Sequence, residues 1–413
     1  MSRGRRDKVK EMRARRRLLV LTSSFPRWEG DTVGPFVYEL CRRLAKDFEV
    51  SVLTPSYTGV KADEIMGPIK VHRFRYFIRK LEKLAGGAGI LPTLKKNKWY
   101  YLLIPFFMTA YFFALRKQIK KQKTDIVHAH WIIPQGLIAS LTKKLYKVPF
   151  LVTAHGGDVF VLQGRFATAI KRFILKNADK ITVVSTAIKN EILTKIAPDL
   201  EIEIISMGVD SEHFNPDKKD SSIKNKYAIE GPFLLFVGRL AEKKGVRFLI
   251  EAMPAVIKEF PKSKLLIVGT GLLESKLKTL MQRLNLQQNI IFTGQIANFD
   301  LPKYYATADV FVAPSVISKG GDREGLPVTL MEAMSCGAIT VATNLEGNRD
   351  LILNGQTGFL IKQKSPAELS KTVVELLKND YLMPQIRKQA REKIISAFDW
   401  KIISDKYKEI LSS

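Results

Sequence analysis

Cysteine is nearly absent: Cys41 and Cys336 are the only two, they stand far apart, and neither has a neighbour at pairing or metal-ligand spacing. That excludes a disulfide framework and points to a reducing, cytosolic compartment. The basic start "SRGRRDKVKEMRARRR" leads into "LLVL", which is too short for the apolar core of a secretory signal, and no small-residue cleavage site follows. The arm, residues 1–17, is therefore expected to stay on the protein. No G-x-x-x-x-G-K-[ST] phosphate loop and no G-x-S-x-G elbow occurs, so neither that class of NTPase nor that class of hydrolase is indicated. "VGTGLLE" has Gly269 and Gly271 but lacks the third glycine of the dinucleotide fingerprint, and it reads as a strand-to-helix turn. No internal repeat is apparent. Acidic residues are also scarce, 40 Asp+Glu against 67 Lys+Arg, and the resulting +27 implies an anionic partner.

What is present is a globular composition, 46% hydrophobic over 413 residues, enough for two domains with separate cores. Strand-like runs such as "RLLVLTS", "EVSVLTP", "DIVHAHW" and "PFLVTAHG" alternate with amphipathic segments such as "GPFVYELCRRLAKDF". Between Met207 and Ser222 the pattern lapses into polar, turn-rich sequence, then restarts with "PFLLFVGRL", "KLLIVGTG", "NIIFTGQ", "DVFVAPS" and "AITVAT". Alternation of this kind predicts an α/β chain of two doubly wound parallel sheets, and ligands of such sheets bind at the carboxyl ends of the strands.

Several side chains fall at those ends. "EGLPVTLMEAMSCGAITVAT" puts Glu324 in a loop, opens a helix near Pro327 and places Glu332 inside it, with Gly337 as the stop. The helix start offers unpaired N–H groups and the positive end of a dipole, which suit a phosphate. "VGRLAEKKGV" sets Arg239 and Lys244 between a strand and a helix, where the pair could clamp a diphosphate. "TAHGGDV" offers His155 and Asp158 around two glycines that let the backbone approach a ligand. The long loop "TSSFPRWEGDTVGPF" ends with Gly34 and Pro35 opening a helix and presents Phe25, Arg27 and Trp28 to a second substrate. His128 and His130 share a strand face in "HAH" without a carboxylate or cysteine at ligand spacing, so no metal site is expected.

"KKNKWYYLLIPFFMTAYFFALRKQIKKQK", Lys95 to Lys123, has an uncharged centre from Trp99 to Leu115 and basic flanks on both sides. It is short for a membrane span, and Pro105 is expected to divide it. Together with the net charge it reads as a segment lying in the interface of an anionic membrane, rather than one that serves the domain core alone. The competing class for so basic a chain, prompted also by "HRFRYFIRK", is nucleic-acid binding. Its basic residues are spread over the whole length without a recognised module, so nucleic acid is not expected as a partner.

"GRLAEKKG", "EGLPVTLMEAMSCG" with its E-x7-E spacing, "HGGD" after a strand and "FPRWEGDTVGPFV" near the start stand in this order from about Leu18 to Trp400. Together they resemble the retaining GT-B glycosyltransferases of family 4. The resemblance implies two Rossmann-like domains facing across a cleft: an acceptor-binding domain over 18–210, a nucleotide-sugar domain over 211–396, and a tail, 397–413, that crosses back as a helix. It implies transfer of a hexose from a nucleotide-diphosphate sugar to a lipid-linked or glycan acceptor, in cell-surface polysaccharide or glycolipid assembly at the cytoplasmic membrane face. By the same resemblance Arg239 and Lys244 neutralise the diphosphate, helped by the backbone of Gly325 and Leu326, while Gly34 closes over the phosphates. Glu332 would take the ribose hydroxyls, Glu324 the transferred sugar, Ile296 the base, and His155 would stand near the reacting sugar. No metal and no other cofactor is implied. Two runs depart from the family pattern, Met207 in "SMGVD" and "NLEGNRDLI", and both bear on donor identity. An epimerase or a phosphorylase of the same architecture is the alternative.

Overall fold

The structure, a computed structural model, describes residues 15–28, 31, 35–85, 89–90, 93–94, 97–379 and 383–413. The basic arm up to residue 14, Gly34, Lys95 and Lys96 lie outside the described residues. The first sheet comprises β1 (Arg17–Leu21), β2 (Glu49–Pro55), β3 (Asp63–Met66), β4 (Ile69–Phe74), β5 (Ile126–His130), β6 (Phe150–Ala154), β7 (Lys180–Val183) and β8 (Glu203–Ile204). The second comprises β9 (Phe233–Val237), β10 (Lys264–Val268), β11 (Ile290–Gly294), β12 (Val310–Ala313), β13 (Ile339–Thr343) and β14 (Phe359–Ile361).

Their orders are β3-β4-β2-β1-β5-β6-β7-β8 and β11-β10-β9-β12-β13-β14. The central strands are continuous apolar runs, "LLVL" in β1 and "FLLFV" in β9, buried on both faces as parallel strands between helical layers must be. Register follows from that burial: Leu18 lies opposite Val50 on one side and Ile126 on the other. One strand departs from the parallel expectation. β3 runs antiparallel to β4 at the sheet edge, and its sequence "DEIM" is too short and too charged to announce a strand.

In each sheet the strand order reverses beside the first strand, between β1 and β5 and between β9 and β12. Such a switch point leaves an open crevice at the carboxyl ends, where loops from both sides meet. The loops after β9 and β12 carry Arg239, Lys244 and Glu324, while those after β1 and β6 carry Arg27 and His155. The chain passes between the domains twice, side by side: Val209 N–H donates to Phe398 O at 2.9 Å and Trp400 N–H to Val209 O at 3.0 Å. The helix Trp400–Ser412 then returns to the first domain. It buries Trp400, Ile403, Tyr407, Ile410 and Leu411 in that domain's core, each worth about 1.5–3 kcal/mol of apolar burial.

The apolar stretch before β5 forms a 3-10 turn, Lys98–Leu103, running into a helix, Ile104–Gln122, with Pro105 in its first turn. Pro105 thus marks the boundary between the two pieces, where its missing N–H costs nothing. Leu103, Phe107, Tyr111, Leu115 and Ile119, spaced by four, enter the core. By length and composition Lys98–Gln122 is apolar enough to cross a membrane. The core stripe instead fastens one face along the domain, while Trp99, Tyr101, Leu102, Phe106 and Phe113 remain exposed on the outside.

Candidate active site

The loop after β12 delivers the first carboxylate. Glu324 precedes Gly325, Leu326 and Pro327, and the helix Val328–Ser335 follows, with Pro327 as its cap residue rather than its first helical one. Lys244, at the end of the short 3-10 turn Glu242–Lys244 after β9, donates from Nζ to Glu324 Oε2 at 3.0 Å. Lys243 adds a second ammonium, 3.5 Å from Glu324 Oε1 and 3.2 Å from Asp322 Oδ1. Burial alone would raise the Glu324 carboxyl, but the charges of Lys244 and Lys243 outweigh it and bring it down to about 2. Arg239 is exposed just past β9 and close enough to oppose the charge on Lys243. Three cations and an ionised glutamate therefore meet at the switch point, beside a helix start.

Glu332 lies one helix deeper. It is buried, and Tyr305 Oη donates to its Oε2 at 2.8 Å. Burial pushes this carboxyl up to about 7, since the one tyrosine bond and the more distant Lys244 only partly offset it. Their surroundings thus push the two glutamates in opposite directions, one down and the other up. Ile296, in the loop after β11, is half-buried against the second domain's core.

On the facing side, His155 directly follows the strand β6 and begins the turn "HGGD". Its Nε2 and His130 Nδ1 are 3.0 Å apart and share a hydrogen bond. His128 stacks on His130 with ring centroids 4.2 Å apart, and Trp131 and Phe36 pack on His155 at 4.8 and 5.3 Å. Burial pulls His155 down to about 3, so this imidazole is neutral at any ordinary pH. His128 and His130 serve this wall, and no cluster suited to a metal ion occurs among the described residues.

Asp158 was expected to face the acceptor. It is buried instead, taking backbone N–H groups from Ile132 at 2.8 Å, Gly156 at 3.0 Å and His155 at 3.2 Å. It holds the histidine turn against the loop after β5. Phe25 was expected on the surface and is likewise buried, edge-on to Tyr38. Arg27 grips Asp31 through two bonds of 2.7 and 2.8 Å and lies 4.3 Å from the ring of Trp28, which is exposed. Of the three, Trp28 presents the open face.

The two halves of the site touch directly. A Cβ on Gly325 would stand 2.6 Å from the carbonyl oxygen of His155, and one on Gly156, whose φ is +112°, would stand 3.2 Å from the Gly325 Cα. Only residues without side chains allow this approach. Leu326, half-buried, packs against the cores of both domains. Gly325 and Leu326 therefore sit at the domain contact itself, and Glu324 and His155 are brought together through it.

Sequence reasoning missed Lys243, Tyr305, Asp322 and the partnership of His130 with His155. "EKKG" shows two lysines but not which of them faces the carboxylate. Tyr305 stands 27 positions before Glu332, with no local pattern to connect them.

The chain matches the family model described as Glycosyltransferase Family 4 over residues 33–213 and that described as Glycosyl transferases group 1 over 217–393. Among curated relatives, the GDP-mannose-dependent alpha-(1-6)-phosphatidylinositol monomannoside mannosyltransferase of Mycolicibacterium smegmatis is 27% identical over 96% of this chain and 98% of its own. The UDP-Gal:alpha-D-GlcNAc-diphosphoundecaprenol alpha-1,3-galactosyltransferase of Escherichia coli is 29% identical over 72% of this chain and 77% of its own. In fold the chain is similar to Anabaena HepE, solved in complex with UDP-glucose, with a TM-score of 0.71 at 17% identity, covering 96% of this chain and 99% of that one. Two parallel-sheet domains with this site between them are the GT-B architecture, and the chain belongs to glycosyltransferase family 4.

Proposed function

We propose that the protein transfers a hexose from a nucleotide-diphosphate sugar to a lipid-linked or glycan acceptor, with retention of anomeric configuration and without a bound metal. The observation that carries this reading is the pair Lys243 and Lys244 on Glu324, with Arg239 near enough to Lys243 to feel its charge, beside the helix Val328–Ser335. Preorganised positive charge of this kind stabilises a departing nucleoside diphosphate and does so without a divalent ion. Glu324, kept ionised, accepts hydrogen bonds from hydroxyls of the transferred sugar, and Glu332 accepts those of the ribose once it too is ionised. Neutral His155 supplies a wall that neither repels the cationic character developing on the sugar nor adds a competing charge. In this mechanism the acceptor attacks from the face that the diphosphate leaves, and the leaving phosphate takes its proton. No side chain has to become a covalent nucleophile. Relatives named for GDP-mannose and UDP-galactose, and for lipid acceptors, support the donor and acceptor classes.

A peripheral position on the cytoplasmic membrane face belongs to the same reading. The outer face of the helix Ile104–Gln122 shows Phe106 and Phe113, continued by exposed Trp99, Leu102, Ile78 and Leu81. Phe77 and Phe106 join the two parts of this patch, their rings 5.0 Å apart. Arg75, Arg79, Lys80, Lys83, Lys98 and Lys117 are exposed nearby. Between Arg75 and Lys123 the sequence holds one carboxylate, Glu82, and it is buried, accepting from Tyr76 N–H at 2.8 Å. An apolar face whose own stretch of chain carries exposed cations and no exposed carboxylate among the described residues fits an anionic bilayer.

The test is a thermal-shift series with UDP, GDP and ADP and their sugar conjugates, with and without EDTA. A selective stabilisation that survives EDTA and is lost in Glu332→Ala is the expected outcome. Stabilisation abolished by EDTA, or none by any nucleotide, would overturn the metal-free donor site.

A further inference from the structure

Arg323 stands one residue before Glu324 and is not used by the chemistry described above. Its guanidinium nevertheless leaves the second domain. Nη2 lies 3.0 Å from Oε2 of Glu191, and the guanidinium carbon lies 4.0 Å from the centroid of the Phe160 ring. Both partners belong to the first domain. Glu191 sits in the helix Thr186–Lys195, and Phe160 ends the short helix Gly157–Phe160 that begins directly after His155 and Gly156.

These two anchors flank the place where the domains meet. Ile188, on the same helix as Glu191, has its Cδ1 3.0 Å from where a Gly325 Cβ would stand, and His155 O is nearer still at 2.6 Å. Asp158, between Gly156 and Phe160, pins the His155 and Gly156 N–H groups. The turn that carries His155 and the face that Arg323 stacks on therefore form one rigid piece. A second tie lies beyond it: Thr186 N–H, at the start of the Glu191 helix, donates to Asp350 of the second domain at 2.8 Å.

We infer that Arg323 is a positioning residue: by clamping Glu191 and Phe160 across the cleft it sets the spacing between Glu324 and His155. The inference rests on the transferase reading for its catalytic consequence. Its geometric part stands without it.

The environment fits such a role. Arg323 and Glu191 are largely withdrawn from water, with side-chain exposures of 24% and 10%, so the pair is only weakly screened. A planar guanidinium can bond the carboxylate edge-on and stack its face on the ring at once, whereas an ammonium offers no such plane. Glu191 also keeps Lys195, whose Nζ is 2.8 Å from its Oε1. Removing Arg323 therefore does not strand a buried charge, and the variant is expected to fold.

The test combines solution scattering with turnover. The radius of gyration of wild type, Arg323→Ala, Arg323→Lys and Glu191→Gln is measured with and without UDP and GDP. Acceptor-free hydrolysis of UDP-glucose and GDP-mannose supplies kcat and KM. Arg323→Ala is expected to enlarge the radius of gyration and lower kcat at least roughly tenfold, while KM stays within about twofold of wild type. Glu191→Gln should reproduce this from the other domain, and Arg323→Lys should recover part of it. Wild-type size and wild-type kcat in Arg323→Ala would overturn the inference. A loss of nucleotide affinity matching the loss of turnover would also overturn it, by placing Arg323 in the donor site. If wild type binds neither nucleotide, the donor reading fails while the scattering comparison still decides the clamp.

Discussion

The two domains share a scaffold and differ in what they place at its open edge. At the ends of β9 and β12 the second domain gathers Arg239, Lys243, Lys244, Asp322 and Glu324, with the glutamate held ionised well below its ordinary range. At the ends of β5 and β6 the first domain sets His130, Trp131 and His155, with the imidazoles pushed by burial far toward the neutral form. At the ends of β9 and β12 the facing groups are charged, whereas at the ends of β5 and β6 the facing imidazoles are neutral. The difference shows that a doubly wound sheet supplies a place for a ligand, while the loop residues decide which half of a reaction occurs there. Under the proposed reaction the departing diphosphate is assigned to the charged edge and the incoming hydroxyl group to the neutral one.

The sharpest way to break this contrast is to discharge the second domain. Glu324→Ala and Lys244→Ala should each lower kcat by about 10²–10³, the usual cost of losing one preorganised electrostatic group. Circular dichroism should stay near wild type while the melting temperature falls modestly, because the pair is withdrawn from water and either deletion leaves its partner uncompensated. Steady-state kinetics check this, and turnover above a tenth of wild type in either variant would remove charge handling from this cluster.

Much of this contrast was legible in the sequence. The apolar runs of β1 and β9 and the lapse around Met207 required two parallel sheets, since runs buried on both faces alternating with amphipathic segments have few other solutions. Arg239, Lys244 and Glu324 stood after strands and Glu332 within the helix that follows, positions that local sequence alone sets. Phe25 and Asp158 were misread for one common reason. A loop residue shows its type in the sequence, but whether it turns to solvent or to backbone N–H groups depends on contacts from distant segments. Ile132, 26 positions away, decides Asp158. Tyr305 and Lys243 stayed invisible on the same account.

The contrast extends to the outer surface of the first domain, where apolar groups are displayed rather than buried. Phe106→Glu with Phe113→Glu should weaken co-sedimentation with vesicles containing anionic lipid about 100-fold, since each ring contributes about 1.5–3 kcal/mol when transferred from water. Neutralising Lys98 and Lys117 should act more weakly and only at low salt. Vesicle binding unchanged in the double phenylalanine variant would free this face for another role.

Glu332 offers a graded test. Its carboxyl titrates near 7, above its ordinary value, so it is mostly protonated at pH 6 and mostly ionised at pH 8. Under the proposed reading ribose hydroxyls donate to the ionised form, and nucleotide affinity should then rise about tenfold across that interval. Glu332→Gln should lose the slope relative to wild type under the same buffers. Calorimetric titration with UDP and GDP reads it directly, and an affinity that falls with rising pH would reverse the assignment.

The smallest expected effect falls on the other side of the cleft. His155 has its pKa near 3, below the range of any practical assay, because burial opposes its charged form. Lowering the pH from 8 to 5.5 should leave it neutral, so no imidazole should titrate in the rate. In the Glu332→Gln background the donor's carboxylate partner no longer titrates, and kcat at saturating donor should be flat across that window. A limb near pH 6.5 that persists in this background and vanishes in His155→Gln would mean that the imidazole gains a proton in the working complex. The first domain would then hold charge as well, and the division between a charged edge and a neutral one would describe only the resting protein.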